Sequence, residues 1–275
     1  MTQAAAGPAG GRVSAVFAKA AEEQRAALVG YLPAGFPSVD GAIEAAMAMA
    51  RSGVDILEIG LPYSDPLIDG PVIQEAVHRA LEGGVHVTDV LRTVEAVAAA
   101  GVPAMVMTYW NPIEHYGVAT FARDMAAAGG CGLITPDLPP EEAGAWLEAA
   151  SECDLDPVFL VAPSSSDERI KLITAACGGF VYAASVMGIT GARATVGDAA
   201  AVLVERVRKH AKLPVAVGLG VSTGAQAAEV AQYADGVIVG SAFVHRLLAA
   251  ADPGAGRAAV ADLAAELAVG VRVRH

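Results

Sequence analysis

Residues 55–71 read DILEIGLPYSDPLIDGP. The run opens as a strand, and strand alternation puts Ile56, Glu58 and Gly60 on one face and Asp55, Leu57 and Ile59 on the other. A run with apolar residues on both faces belongs to a parallel sheet covered on both sides. The loop that follows carries Asp65 and Asp69, neither of them beside a basic residue.

Seven more runs of this kind occur, at 27–31, 103–108, 132–135, 156–161, 180–184, 214–218 and 235–240. Between them lie Ala-rich segments with helical spacing, such as DGAIEAAMAMARSG and DAAAVLVERVRKHAK. Several close with Gly or Pro just before the next run, as in AAAGVP and KHAKLP. Eight such units in 275 residues predict an α/β chain folded as a (β/α)8 TIM barrel, with an extra N-terminal helix. An open doubly wound sheet is the runner-up. No composition break divides the chain, so residues 1–275 read as a single domain, with 1–11 expected to be a loose terminus. Most runs start 21 to 29 residues apart, but the second and third start 48 apart and the sixth and seventh 34 apart. That predicts extended loops after strands 2 and 6, on the face where such barrels keep their active sites.

Composition excludes several classes. The formal charge is −12, with 18 Lys and Arg against 30 Asp and Glu. There is no basic excess to neutralise nucleic-acid phosphates or to bind an anionic membrane. The mean hydropathy of +0.47 comes mostly from Ala in short runs broken by Gly, Pro or charge, so no membrane-spanning segment is expected. MTQAAAGPAGGR lacks the basic start and long apolar stretch of a signal peptide. Cys131, Cys153 and Cys177 form an odd set without a CxxC pair, which fits a reducing cytosol, so a cytoplasmic protein is expected.

Chemistry is expected at the strand ends. Glycine clusters after the last three strands, in MGITGAR (187–193), GLGVSTG (218–224) and VGSAF (239–243). Such loops let the backbone approach an anion, and helix starts near Thr223 or Ser241 aim N–H groups at it, so a phosphate site is expected there. Only four lysines exist, Lys19, Lys171, Lys209 and Lys212, none at a strand end, which argues against a Schiff-base aldolase. The histidines show no HxH or HExxH spacing, so no metal is expected. His115 and His245 could approach the active face, but acid–base work falls mainly to carboxylates or tyrosines. Glu58, set among Leu and Ile near a strand end, is desolvated and thereby made able to exchange protons near neutral pH. The competing reading pairs it with an Arg across the barrel. Asp65 and Asp69 read equally as turn or cap residues.

The motifs, taken whole, resemble the α subunit family of tryptophan synthase. LEIGLPYSDPLIDGPVIQ looks like its signature, and TYWNPIEHYG, GLITPDLPPEE, VYAASVMGITGAR, VAVGLGVSTGAQ and GVIVGSAFV look like its later blocks in order. The resemblance implies a (β/α)8 lyase that cleaves indole-3-glycerol phosphate to indole and glyceraldehyde 3-phosphate in tryptophan biosynthesis. Indole then passes to a pyridoxal-phosphate-dependent β subunit in an α2β2 heterotetramer, with no cofactor in this chain. It further implies that Glu58 is the general acid/base and Asp69 the carboxylate that holds the indole N–H. Gly191, Gly220, Gly240 and Ser241 would hold phosphate. Tyr31, Tyr109 and Ile134 would line the indole pocket, Tyr182 would lie near Glu58, and Thr190 would belong to a mobile loop that helps order Asp69. Pro62 and Asp65 would contact the β subunit. Leu219 and Met187 depart from the commoner pattern, which bears on pocket shape and loop motion.

Three alternatives stay open: a self-sufficient lyase releasing free indole, a non-catalytic activator of the β subunit, and another phosphate-binding barrel such as a sugar-phosphate isomerase or epimerase.

Overall fold

The structure, a computed structural model, describes residues 11–185 and 193–273. Its strands are β1 (Ala27–Pro33), β2 (Ile56–Gly60), β3 (Ala104–Met107), β4 (Gly132–Ile134), β5 (Asp156–Val158), β6 (Leu160–Val161), β7 (Val181–Ala184), β8 (Val215–Gly218) and β9 (Gly236–Val239). All neighbours pair in parallel, in the order β5-β4-β3-β2-β1-β9-β8-β7-β6. Because β5 and β6 are consecutive in the chain, this order bends round into a barrel.

The fifth run differs from the single strand expected over 156–161. It breaks at Phe159, whose N–H reaches the Cys177 thiol at 3.5 Å instead of a strand carbonyl. The two halves then pair with opposite neighbours, β5 with β4 and β6 with β7, and this brings the sheet round on itself.

Twelve helices are found among the described residues. They are α1 (Arg12–Glu22), α2 (Val39–Arg51), α3 (Pro71–Glu82), α4 (Val87–Ala99), α5 (Trp110–Tyr116), α6 (Val118–Ala127), α7 (Gly144–Glu152), α8 (Asp167–Ala176), α9 (Arg193–Arg208), α10 (Gly224–Ala231), α11 (Ser241–Leu248) and α12 (Pro253–Gly270). Side-chain caps start several of them. Ser38 accepts from Gly41 N–H, Ser166 from Arg169 N–H, Thr223 from Gln226 N–H and Asp252 from Ala255 N–H.

Two apolar layers follow from strand alternation. Leu57 and Ile59 of β2 belong to the outer core, where the sheet meets the helices. Ile56 joins Val29, Met105, Ile134, Val158, Phe180 and Ala216 inside the barrel. The expected N-terminal helix is present as α1, and its buried Val13, Phe17 and Ala20 belong to this inner cluster. The helix therefore plugs the end of the barrel where the strands begin. At that end Arg25 forks onto Asp55 at 2.6 and 2.9 Å, and Asp55 also accepts Leu28 N–H at 2.8 Å. The extra length after the second run is the loop 61–70 plus the additional helix α3. The corresponding stretch after the sixth run includes 186–192, outside the described residues.

Candidate active site

Glu58 sits one alternation step above Ile56, so its side chain enters the barrel rather than the helix layer. It is fully buried, and its register partners are Tyr31 on β1 and Met105 on β3. Neither carboxylate oxygen has a hydrogen-bond partner among the described residues. Burial alone pushes its pKa up to about 8. The Arg-paired alternative does not hold, because Arg25, the one buried arginine among the described residues, is engaged with Asp55 and Glu23 at the far end of the barrel.

Two tyrosines share this interior. Burial, followed by the nearby Asp69 and Glu58 carboxylates, drives the Tyr31 hydroxyl pKa well above its ordinary value. Tyr182 on β7 behaves alike, with burial first and then Glu58. Both phenols stay protonated, so they are neutral neighbours of the carboxyl group. Glycine makes room for each ring. A Cβ on Gly60 would lie 2.3 Å from the Tyr31 hydroxyl, and one on Gly218 would lie 2.8 Å from that of Tyr182.

Asp69 comes from the loop after β2. The Tyr109 hydroxyl accepts Ile68 N–H at 2.9 Å and donates to the Asp69 carboxylate at 3.3 Å. Burial raises the Asp69 pKa, and the Tyr109 hydrogen bond works against that rise. The half-buried position shifts this carboxylate toward protonation, and a donor is needed to hold its charge. Tyr31 and Asp69 line a common void of about 20 Å³ with Tyr63, Met107, Tyr109 and Pro136.

Across the barrel, Gly220 takes a positive φ of 71° directly after β8, a turn that suits glycine. Gly240 is the N-cap of α11 and Ser241 its first residue, so the free N–H groups of that helix start face outward from the strand ends. A Cβ on Gly240 would come within 3.3 Å of the Tyr31 ring, which ties this helix start to the carboxylate side of the mouth.

The whole chain compares closely with known proteins. Residues 17–271 match the family model described as tryptophan synthase alpha chain. The chain is 58% identical over 261 residues to the tryptophan synthase alpha chain of Salinispora tropica, covering 95% of this chain and 98% of that one. It is 61% identical over 250 residues to that of Acidothermus cellulolyticus, covering 91% and 93%. A solved structure of Mycobacterium tuberculosis tryptophan synthase superposes with a TM-score of 0.90 at 54% identity, covering 96% of this chain and all of that one. The chain belongs to the tryptophan synthase alpha chain family.

In this family member the structure brings Glu58, Asp69, Tyr31, Tyr109 and Tyr182 to the strand-end side of one barrel, with Gly220, Gly240 and Ser241 on the loops of the same end. Ile134 is fully buried and belongs to the inner cluster, against which Tyr182 packs. Thr190, Gly191 and Met187 lie outside the described residues. Leu219 is buried after β8. Pro62 is buried within the chain, whereas Asp65 is exposed and accepts the Ser64 hydroxyl at 2.6 Å. His115 and His245 are both exposed. No group of three or more possible metal ligands occurs among the described residues.

Four residues of this region were not singled out by the sequence. Tyr63 stacks on Tyr109 with ring centroids 5.3 Å apart. Asp137 accepts Trp110 N–H at 3.0 Å and so fixes the start of α5, next to Tyr109. Gln74 holds the Asp69 loop, and Thr108 is buried beside the void. Gln74 stands inside the quoted signature, but that pattern does not reveal its partners.

Proposed function

We propose that the protein is the α subunit of tryptophan synthase, a carbon–carbon lyase that cleaves indole-3-glycerol phosphate to indole and glyceraldehyde 3-phosphate by a retro-aldol route. The observation that carries the reading is Glu58: a fully buried, unpartnered carboxyl with a pKa of about 8, inside the barrel beside Tyr31. A group with that pKa is protonated at neutral pH and ready to act as an acid, and its conjugate base is strong enough to recover a proton.

Glu58 donates its proton to the indole carbon that bears the glycerol chain, and the ring becomes an iminium cation. Asp69 accepts the indole N–H and balances that positive charge, a role supported by the Tyr109 hydroxyl that favours its ionised form. The Glu58 carboxylate then takes the proton of the neighbouring glycerol hydroxyl. The carbon–carbon bond breaks, its electron pair restores the aromatic ring, and the aldehyde leaves. Glu58 ends the cycle protonated, as it began.

Gly191, Gly220, Gly240 and Ser241 hold the phosphate, a role supported for the last two by the N-terminus of α11. Tyr31, Tyr109, Ile134 and Tyr182 shape the indole pocket, and Thr190 helps order Asp69. The chain works in the cytoplasm as part of an α2β2 assembly, and pyridoxal phosphate belongs to the β partner. Leu67 and Ile68, 91% and 60% exposed on the Asp69 loop, support a partner surface beside Asp65 and Pro62.

The test is an indole-release assay. Wild type turns over indole-3-glycerol phosphate, while Glu58→Gln and Asp69→Asn each lose at least about a hundredfold in kcat. Full activity in Asp69→Asn contradicts the proposal.

A further inference from the structure

The loop that carries Asp69 is gripped from one side by a single side chain. Gln74, in the first turns of α3, sends its amide nitrogen to the carbonyl of Pro66 at 3.1 Å and to that of Asp69 at 2.9 Å. Both partners are carbonyl oxygens, so only the NH2 end of the amide fits, with one proton for each. The Pro66 carbonyl also accepts Asp69 N–H at 3.2 Å, which closes the four residues into a turn. On the opposite side the Tyr109 hydroxyl takes Ile68 N–H and the Asp69 carboxylate. The turn is therefore held from two directions. Asp69 faces the barrel, while Leu67 and Ile68 stay exposed.

From this geometry we infer that Gln74 is a positioning residue for catalysis: its two amide protons latch the Pro66–Asp69 turn and so hold the Asp69 carboxylate at the barrel mouth. Gln74 is exposed and takes no part in the core, so changing it leaves the barrel intact. What it supplies is a pair of donors, not bulk. Glutamate at this position keeps the shape but turns oxygen lone pairs on two carbonyls. Methionine keeps the length and removes the polar contacts.

The inference rests on the functional reading above, and two readouts keep the two separable. The first is amide hydrogen exchange of the isolated, unliganded chain. Exchange at Ile68 and Asp69 speeds up about tenfold in Gln74→Met relative to wild type, with α3 and the barrel strands unchanged. Unchanged exchange at both amides overturns the latch. The second is indole release. At pH 8 both Gln74→Glu and Gln74→Met lose about tenfold in kcat with KM within about twofold of wild type, the signature of a contact that matters after binding. As pH falls toward 5, Gln74→Glu regains activity relative to wild type because its protonated acid again offers a donor, whereas Gln74→Met does not. The titratable neighbours Asp65, Asp69 and His78 are present in all three proteins, and Gln74→Met, which adds no charge, is the reference against which the pH response of Gln74→Glu is read. A Gln74→Glu variant with wild-type kcat at pH 8 overturns the inference, since shape alone would then suffice. If wild type releases no indole while the exchange difference is present, the lyase reading fails and the latch stands.

Discussion

Replacing Glu58 with glutamine should convert the burial of this carboxyl into a measurable, pH-dependent stability difference. In the folded chain the group titrates near 8 rather than its ordinary 4.5. Below about 4.5 it is protonated in both folded and unfolded states and costs nothing extra. Between 4.5 and 8 the unfolded chain has released the proton that the folded chain still holds, so stability falls as pH rises. Above 8 the loss is complete. At about 1.4 kcal/mol for each tenfold change in proton affinity, the full loss is on the order of 5 kcal/mol, and local relaxation reduces it to about 2–3 kcal/mol. The amide in Glu58→Gln carries the same unpartnered burial but does not titrate. The variant should therefore melt close to wild type at pH 5 and about 5–10 °C above it at pH 9, at roughly 2–4 °C per kcal/mol for a chain of this size. Thermal melts followed by circular dichroism across that range are the assay. A melting difference that stays flat from pH 5 to 9, or a variant that falls below wild type as pH rises, refutes the reasoning.

Two further outcomes follow from the same geometry. Tyr109→Phe removes the hydroxyl that both anchors Ile68 N–H and favours ionised Asp69. Its kcat for indole release should drop about tenfold, and the acid limb of its pH profile should move to higher pH because the Asp69 pKa is no longer held down. Gly60→Ala sets a methyl 2.3 Å from the Tyr31 hydroxyl, which should cost about 1–3 kcal/mol in urea unfolding and displace Tyr31 from beside Glu58, lowering kcat as well.

The barrel was legible because its strands repeat one pattern. Each run is apolar on both faces, and alternation put Ile56, Glu58 and Gly60 on one face, which the structure turns into the barrel. The break at Phe159 was not legible, because DPVFLV has the composition of one continuous strand and the partner that takes the Phe159 N–H, Cys177, lies 18 residues away. The extra length after the second run was visible as spacing, but spacing cannot tell a long loop from the helix α3 that fills most of it. At the site, the two carboxylates were carried by the motif around them. Tyr63, Gln74 and Asp137 were missed because each acts through a backbone group or ring brought near by loop geometry. The Arg25–Asp55 fork shows the same limit, since a pairing across 30 residues leaves no local trace. It also explains why Glu58 is left without a cation.

The central claim is that Glu58 enters the reaction as a neutral acid because the barrel buries it unpaired. The most direct measurement is the titration of the Glu58 side-chain carboxyl by carbon-13 NMR in the unliganded chain, with Glu58→Gln used to assign the signal. The account predicts a midpoint near 8. A midpoint near the ordinary 4.5 would contradict it.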